Sequence, residues 1–203
     1  MRKWIITGIA LLAIVLGLWV IGGRFQENSM TKAQLTVLNQ ILPGKVTQKQ
    51  VQTIKLPGST AQKFPAVDKM FKVAAQEESY VFLVSPVGYR SPVNTMVVVN
   101  AQKNEITGIK VIQHDETPGW GEWLTETWFA DRFKGKSTDK YLERAILEAK
   151  KDNEIIQITS ATISTQAVIN GVNSAMGVYR EVVLGQPSEG VPLKVQGFIT
   201  EIQ

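Results

Sequence analysis

Residues 158–165 read Ile-Thr-Ser-Ala-Thr-Ile-Ser-Thr, placing Thr159, Ser160, Thr162, Ser164 and Thr165 within eight positions. An apolar run, "NEIIQI", precedes them and a helical pattern over 165–184 follows. Strand, small-residue turn and helix is a geometry that suits a phosphate. The first N–H groups of a helix have no intrahelical partners, and the helix dipole adds partial positive charge there. Hydroxyls at Thr159, Thr162 and Thr165 would add hydrogen bonds, and Ala161 leaves room for close approach. A simpler reading has Ser164 or Thr165 capping the helix while the other hydroxyls face water. On these residues alone the cap is the weightier of the two.

A second constellation is "HDETPGWGEW", residues 114–123. His114 is the one histidine of the chain. With Asp115 and Glu116 it makes a poor ligand set, because one imidazole and two consecutive carboxylates do not converge on a cation. No metal site is expected. Pro118-Gly119 fits a type II turn, with Gly119 at positive φ. Glu116 and Thr117 are candidate polar contacts to a ligand. Tyr89 and Ser91, after Gly88 in a turn, are peripheral candidates. The chain has no cysteine, which excludes disulfides, thiolate metal sites and cysteine nucleophiles. No acid–base pair stands out, so a complete enzyme is not expected.

The elements that must position these residues follow from patterning. Of the 203 residues, 4–22 form an uncharged apolar stretch, "WIITGIALLAIVLGLWVIG". As a helix it covers roughly 28 Å, close to a bilayer core. Arg2 and Lys3 before it and Arg24 after it suit a single-pass anchor with residues 1–3 in the cytoplasm. The competing reading, a cleaved signal peptide, would have a shorter apolar core and a small-residue cleavage site after Val20. The net charge of +4 owes much to Arg2, Lys3 and Arg24, and no basic run is interleaved with aromatics, so nucleic acid is not an expected partner. Residues 24–60 read as a stalk helix, capped by Thr31 and stopped at Pro43-Gly44, followed by a strand or linker. From 61 to 203 the pattern is one α+β domain. Four β-like runs, "DKMFKVAA", "SYVFLVSP", "NTMVVVNA" and "EITGIKVIQH", suggest an antiparallel meander with one covered face. "TDKYLERAILEAKK" reads as an amphipathic helix, and Val168, Val172, Ala175, Met176, Tyr179 and Val183 form the stripe of a longer one. Trp123 and Trp128 are expected in the core or at a contact with another protein chain.

With the motifs in place, a family resemblance emerges. "TSATIST" followed by "QAVINGV" resembles the flavinylation motif of the FMN-binding domain. That domain is shared by the G subunit of Rnf-type electron transport complexes and the C subunit of the sodium-pumping NADH:quinone oxidoreductase. "ITGIKVIQHDETPGWGEW", "GYRSPVNTMVVVN" and "WFADRFKGKS" resemble further segments of that family in the same order. The likeness is closer to the G subunit. Ser160 stands where the family has glycine, Trp120 where it has leucine, and Gln157 or Ile156 where an aspartate commonly precedes the motif.

The resemblance implies an FMN joined by a phosphoester to Thr162, attached by a separate flavin transferase that cleaves FAD. It implies flavin or phosphate contacts at Thr159, Ser160, Ala161, Thr165, Glu116, Thr117 and Gly119, with Trp120 either stacking on the flavin ring or filling an apolar slot. It implies an electron-transfer subunit of a membrane-bound ferredoxin:NAD⁺ oxidoreductase coupled to ion translocation. Its partners would be the other membrane subunits, with the domain on the periplasmic or outer face of the bacterial cytoplasmic membrane. The alternatives are an assembly or binding subunit without flavin, the equivalent quinone-reductase subunit, and a freestanding flavoprotein.

Overall fold

The computed structural model describes residues 29–192. The anchor expected over 4–23 lies outside the described residues, as does the tail beyond 192; among the described residues no helix is long and apolar enough to cross a membrane. The centre is a five-stranded sheet in sequence order. Its strands are β1 (Val51–Ile54), β2 (Val67–Val73), β3 (Ser79–Val84), β4 (Asn94–Asn100) and β5 (Glu105–Gln113), each antiparallel to the next. This is the expected meander with one strand more, since β1 comes from the segment that read as strand or linker.

The sheet is covered on both faces, not one. Strand side chains alternate between faces, and the two apolar clusters sort them accordingly. Tyr80, Phe82, Val84, Val97 and Val99 pack with Val168, Val172, Ala175, Met176 and Tyr179 of the long helix. Phe71, Val73, Val81, Leu83, Met96 and Val98 pack with Leu38 and Leu42 of the helix over 32–41 or at its end. Double coverage explains why β3 and β4 read as unbroken apolar runs instead of alternating ones. The first helix, α1 (Lys32–Ile41), starts at a Thr31 capping box, in which Thr31 and Gln34 bond each other's backbone N–H. Thr31 therefore caps it as expected, but the helix does not stand off as a stalk: it is the lid of the second cluster. A short helix α2 (Gly58–Lys63) joins β1 to β2.

The stretch 138–151 is not a helix. It holds β6 (Glu143–Ala145), which pairs in parallel with β7 (Glu154–Ile156). Tertiary hydrogen bonds override its helical spacing. Asn173, on the long helix, accepts from Leu142 N–H at 2.8 Å and donates to the Leu142 carbonyl at 2.9 Å. Asn153 donates to the Tyr141 carbonyl at 2.8 Å. Extended backbone offers these groups freely, whereas a helix would use them internally. Ile146 and Leu147, next to or within the expected apolar stripe, are left exposed. Between β5 and β6 runs a short helix, α3 (Thr127–Ala130), flanked by 3₁₀ turns; Phe129 and Phe133 there are buried edge to face. The long helix, α4 (Thr162–Val182), completes the fold.

Because Leu38 is fully buried against the sheet, Leu38→Ala is expected to lower unfolding stability by about 2–4 kcal/mol. A urea melt followed by circular dichroism checks this; a detached stalk would show almost no change.

Candidate functional site

The hydroxyl-rich segment forms a tight turn and then α4. Ala161 N–H donates to the Ile158 carbonyl at 3.0 Å, closing the turn. Ser160, its third residue, sits at φ +63°, one of two non-glycine residues at positive φ among those described. The left-handed conformation expected of a glycine is therefore imposed on a serine, at a steric cost of about 1 kcal/mol. Helix α4 begins directly after Ala161, and no side chain caps it. The simple capping role foreseen for Ser164 or Thr165 is thus not what these hydroxyls do. Thr165 Oγ1, buried, accepts from Ile158 N–H at 3.1 Å and reaches back across the turn. Ser164 Oγ donates to the Glu116 carboxylate. The first N–H groups of α4 are left without a side-chain partner, the condition that suits an anion.

Glu116 is 3% exposed, and its carboxylate is fully engaged. Besides Ser164 it accepts from the backbone N–H of Tyr89 at 3.2 Å and of Arg90 at 3.1 Å. It therefore ties the 87–92 loop, the 114–121 loop and the start of α4 into one unit. Two glycines make that approach possible. A Cβ on Gly88 would lie 2.6 Å from Glu116 Oε1, and one on Gly121 would lie 2.6 Å from Glu116 Cβ. Glu116 shapes the site from beneath and does not line it. His114 is likewise occupied, its Nδ1 accepting from Glu116 N–H at 3.1 Å. Trp120 N–H donates to the Thr117 carbonyl at 3.2 Å and Gly119 has φ +74°, which is the type II geometry read from Pro118-Gly119.

Between these loops and the helix start lies a cleft of about 480 Å³, within the range of small-molecule sites. Tyr89, Thr117, Trp120 and Gly121 line one side, and Ser160 to Ser164 line the other. Trp120 is half exposed, so its indole is available to the cleft. Of the residues singled out, Thr162, Ser160, Ala161, Thr117 and Trp120 meet here. Thr159 faces solvent outside the lining, Thr165 and Glu116 are buried behind it, and Gly119 acts through its turn. Trp123 and Trp128 are about 40% exposed and do not lie in the core; Trp128 instead carries the Arg132 guanidinium 4.7 Å above its ring. A larger hollow, about 600 Å³, lies by Gln40–Pro43, Glu77, Asn100 and Gly135 and contains none of the residues singled out.

The polar surroundings of Thr162 were hidden in the sequence. Thr162 Oγ1 donates to Gln157 Oε1 at 3.4 Å. The same oxygen accepts from Arg144 Nη1, while Arg144 Nε donates to Gln166 Oε1 at 3.1 Å. Arg132 donates to the backbone carbonyls of Ile156 and, at 3.3 Å, Gln157. Burial pulls the Arg132 pKa below the usual guanidinium value. Among the described residues neither arginine forms an ion pair. Two half-buried cations without carboxylates, an uncapped helix start and a threonine lining a cleft fit a phosphate-bearing aromatic ligand. Arg144 escaped sequence reading because the helical spacing of 138–151 put it on a solvated face.

The FMN-binding domain family model matches residues 88–177, a span holding both sides of the cleft. Fold and site thus define an α+β FMN-binding domain. The G subunit of the proton-translocating ferredoxin:NAD⁺ oxidoreductase complex of Clostridium ljungdahlii is 31% identical over 64% of this chain and 73% of its own length. The chain belongs to the family of such G subunits of ion-translocating oxidoreductase complexes. The G subunit of the Na⁺-translocating ferredoxin:NAD⁺ oxidoreductase complex of Acetobacterium woodii is 38% identical over 47% of this chain, and the match spans 45% of that relative, about half its length. The crystal structure of the C subunit of the Na⁺-translocating NADH-quinone reductase from Parabacteroides distasonis has the same fold, with a TM-score of 0.54 at 16% identity, covering 74% of this chain and 96% of the other.

Relief of the left-handed strain gives a direct check. Ser160→Gly is expected to raise stability by about 0.5 kcal/mol or less, the steric gain being offset in part by the added freedom of the unfolded chain. Thermal unfolding of the two proteins measures it.

Proposed function

We propose that this chain is an electron-relay subunit of a membrane-bound, ferredoxin:NAD⁺-type, ion-translocating complex, with FMN esterified to Thr162. The observation that carries the reading is the position of Thr162. It is the first residue of α4, it lines the cleft, and the helix start beside it has no cap. Attachment would form a bond between Thr162 Oγ1 and the FMN phosphorus of FAD. The pyrophosphate bond breaks, AMP leaves, and the hydroxyl proton passes to a base on the flavin transferase. The chain itself needs only to present the hydroxyl and accept the resulting negative charge.

FMN at this site would supply one- and two-electron redox chemistry, and the protein would supply position and electrostatic tuning. Trp120, across the cleft, offers an aromatic face to the ring. Thr117 and Ser160 offer polar contacts at the rim. The Glu116 bracket fixes the distance between the two walls. Residues 4–23 would hold the domain at the membrane as a single span, with residues beyond 24 on the outer face and the other subunits of the complex as partners. A covalent tether suits such a location, because a carrier outside the cytoplasm could not recover a lost cofactor.

Co-expression with a flavin transferase, followed by denaturing electrophoresis, is expected to give a fluorescent flavin band. Thr162→Ala should abolish that band while changing stability by no more than about 0.5 kcal/mol, as for other partly exposed side chains. Absence of a band from the wild type would sink the covalent assignment.

A further inference from the structure

Arg144 lies outside every motif that led to the cleft, yet a single oxygen atom links its guanidinium to the Thr162 hydroxyl. Its Nη1 donates to Gln157 Oε1, the atom that also receives the Thr162 proton at 3.4 Å. Its Nε is fixed on Gln166 Oε1 at 3.1 Å, and Gln166 in turn donates to Asn170 Oδ1 at 2.9 Å. The row Asn170, Gln166, Arg144, Gln157, Thr162 therefore starts on α4, crosses to β6, and returns to the first residue of α4. Every partner of Arg144 in this row is a neutral amide, and among the described residues it pairs with no carboxylate. A half-buried guanidinium is ordinarily matched by an anion, since its planar fork is suited to carboxylate or phosphate. Among the described residues no anion of the chain fills that role.

We propose that Arg144 is a positioning residue for the phosphoester at Thr162. Through Gln157 it holds the hydroxyl proton away from the cleft, which leaves the Oγ1 lone pairs turned toward an incoming phosphorus. After attachment the Thr162 proton is gone and the phosphodiester carries one negative charge. The Arg144 guanidinium then becomes its counter-charge, and the anion missing among the described residues is supplied by the cofactor. Gln157 is suited to both states. Its oxygen accepts from Thr162 before attachment, and its amide N–H can donate to the phosphate afterwards.

This rests on the FMN reading, and the test separates the two. Full-length protein is incubated with flavin transferase and FAD, and the loaded fraction is followed by intact mass. R144Q is expected to load about tenfold more slowly, the consequence of losing the charge-assisted hydrogen bond that fixes Gln157 beside the reacting hydroxyl. The loss should fall on kcat, with the KM for the carrier protein little changed. Loading should also raise the Tm of wild type more than that of R144Q, since only the former gains an ion pair at the site. R144K keeps the charge but not the fork, and is expected to load at an intermediate rate. If wild type loads and R144Q matches it in rate and in Tm gain, the role of Arg144 is overturned while the FMN reading stands. If wild type never loads, the FMN reading itself fails. Should R144Q not fold, R144K decides: loading at the wild-type rate overturns the proposal, and slower loading supports it.

Discussion

The buried carboxylate of Glu116 is the constraint around which the site is built. Three donors from two separate parts of the chain converge on it: two backbone N–H groups of the 87–92 loop and the Ser164 hydroxyl of α4. The buried Ser164 hydroxyl would be left unsatisfied without it, at about 1–3 kcal/mol. Because two of the three come from the backbone, the bracket fixes loop position, not merely side-chain contact. Thr117 and Trp120 follow this anchor closely in sequence, and Ser160 to Thr162 precede its third partner by a few residues. The two walls of the cleft are therefore held at one spacing by a single group that never enters it.

The sheet provides the rigid floor for that arrangement. Its strands β3 and β4 are apolar on both faces, and each face of the sheet has its own helix, α1 on one side and α4 on the other. Close packing leaves little freedom for α4 to slide. Gly177 shows how tight the seat is, since a Cβ there would lie 2.3 Å from the Phe64 ring. The helix must run along the sheet in one register, which places its N-terminus at the loops after β3 and β5. A segment that reads as a stalk is thus needed to bury half of the sheet and, indirectly, to hold the tether site in place.

Electrostatics at the helix start point in one direction. Uncapped N–H groups, the dipole of a 21-residue helix, and two arginines that pair with no carboxylate among the described residues all favour negative charge near Thr162. None of these contributions is large alone at a partly exposed site. Together they are the reverse of what an unliganded surface turn would need, where a capping side chain and neutralised cations are the usual solution.

The sequence by itself determined the local pieces whose signals are local. The meander, the cap at Thr31, the Pro118-Gly119 turn and the stripe of α4 follow from alternation, capping chemistry and fixed φ, which depend on near neighbours only. The glycine-like geometry at Ser160 was also legible, through the residue that a matching motif carries there. Tertiary structure decided what depends on partners distant in the chain. Asn173 drew 141–145 out of its helical spacing, because its side-chain amide satisfies backbone groups that a helix would have used itself. That same displacement carried Arg144 to the foot of Thr162, where no reading of the polar face of a helix would put it. Glu116 passed from a supposed ligand contact to a buried bracket, because a carboxylate bonds to the donors that folding delivers, and these lie 26, 27 and 48 positions away.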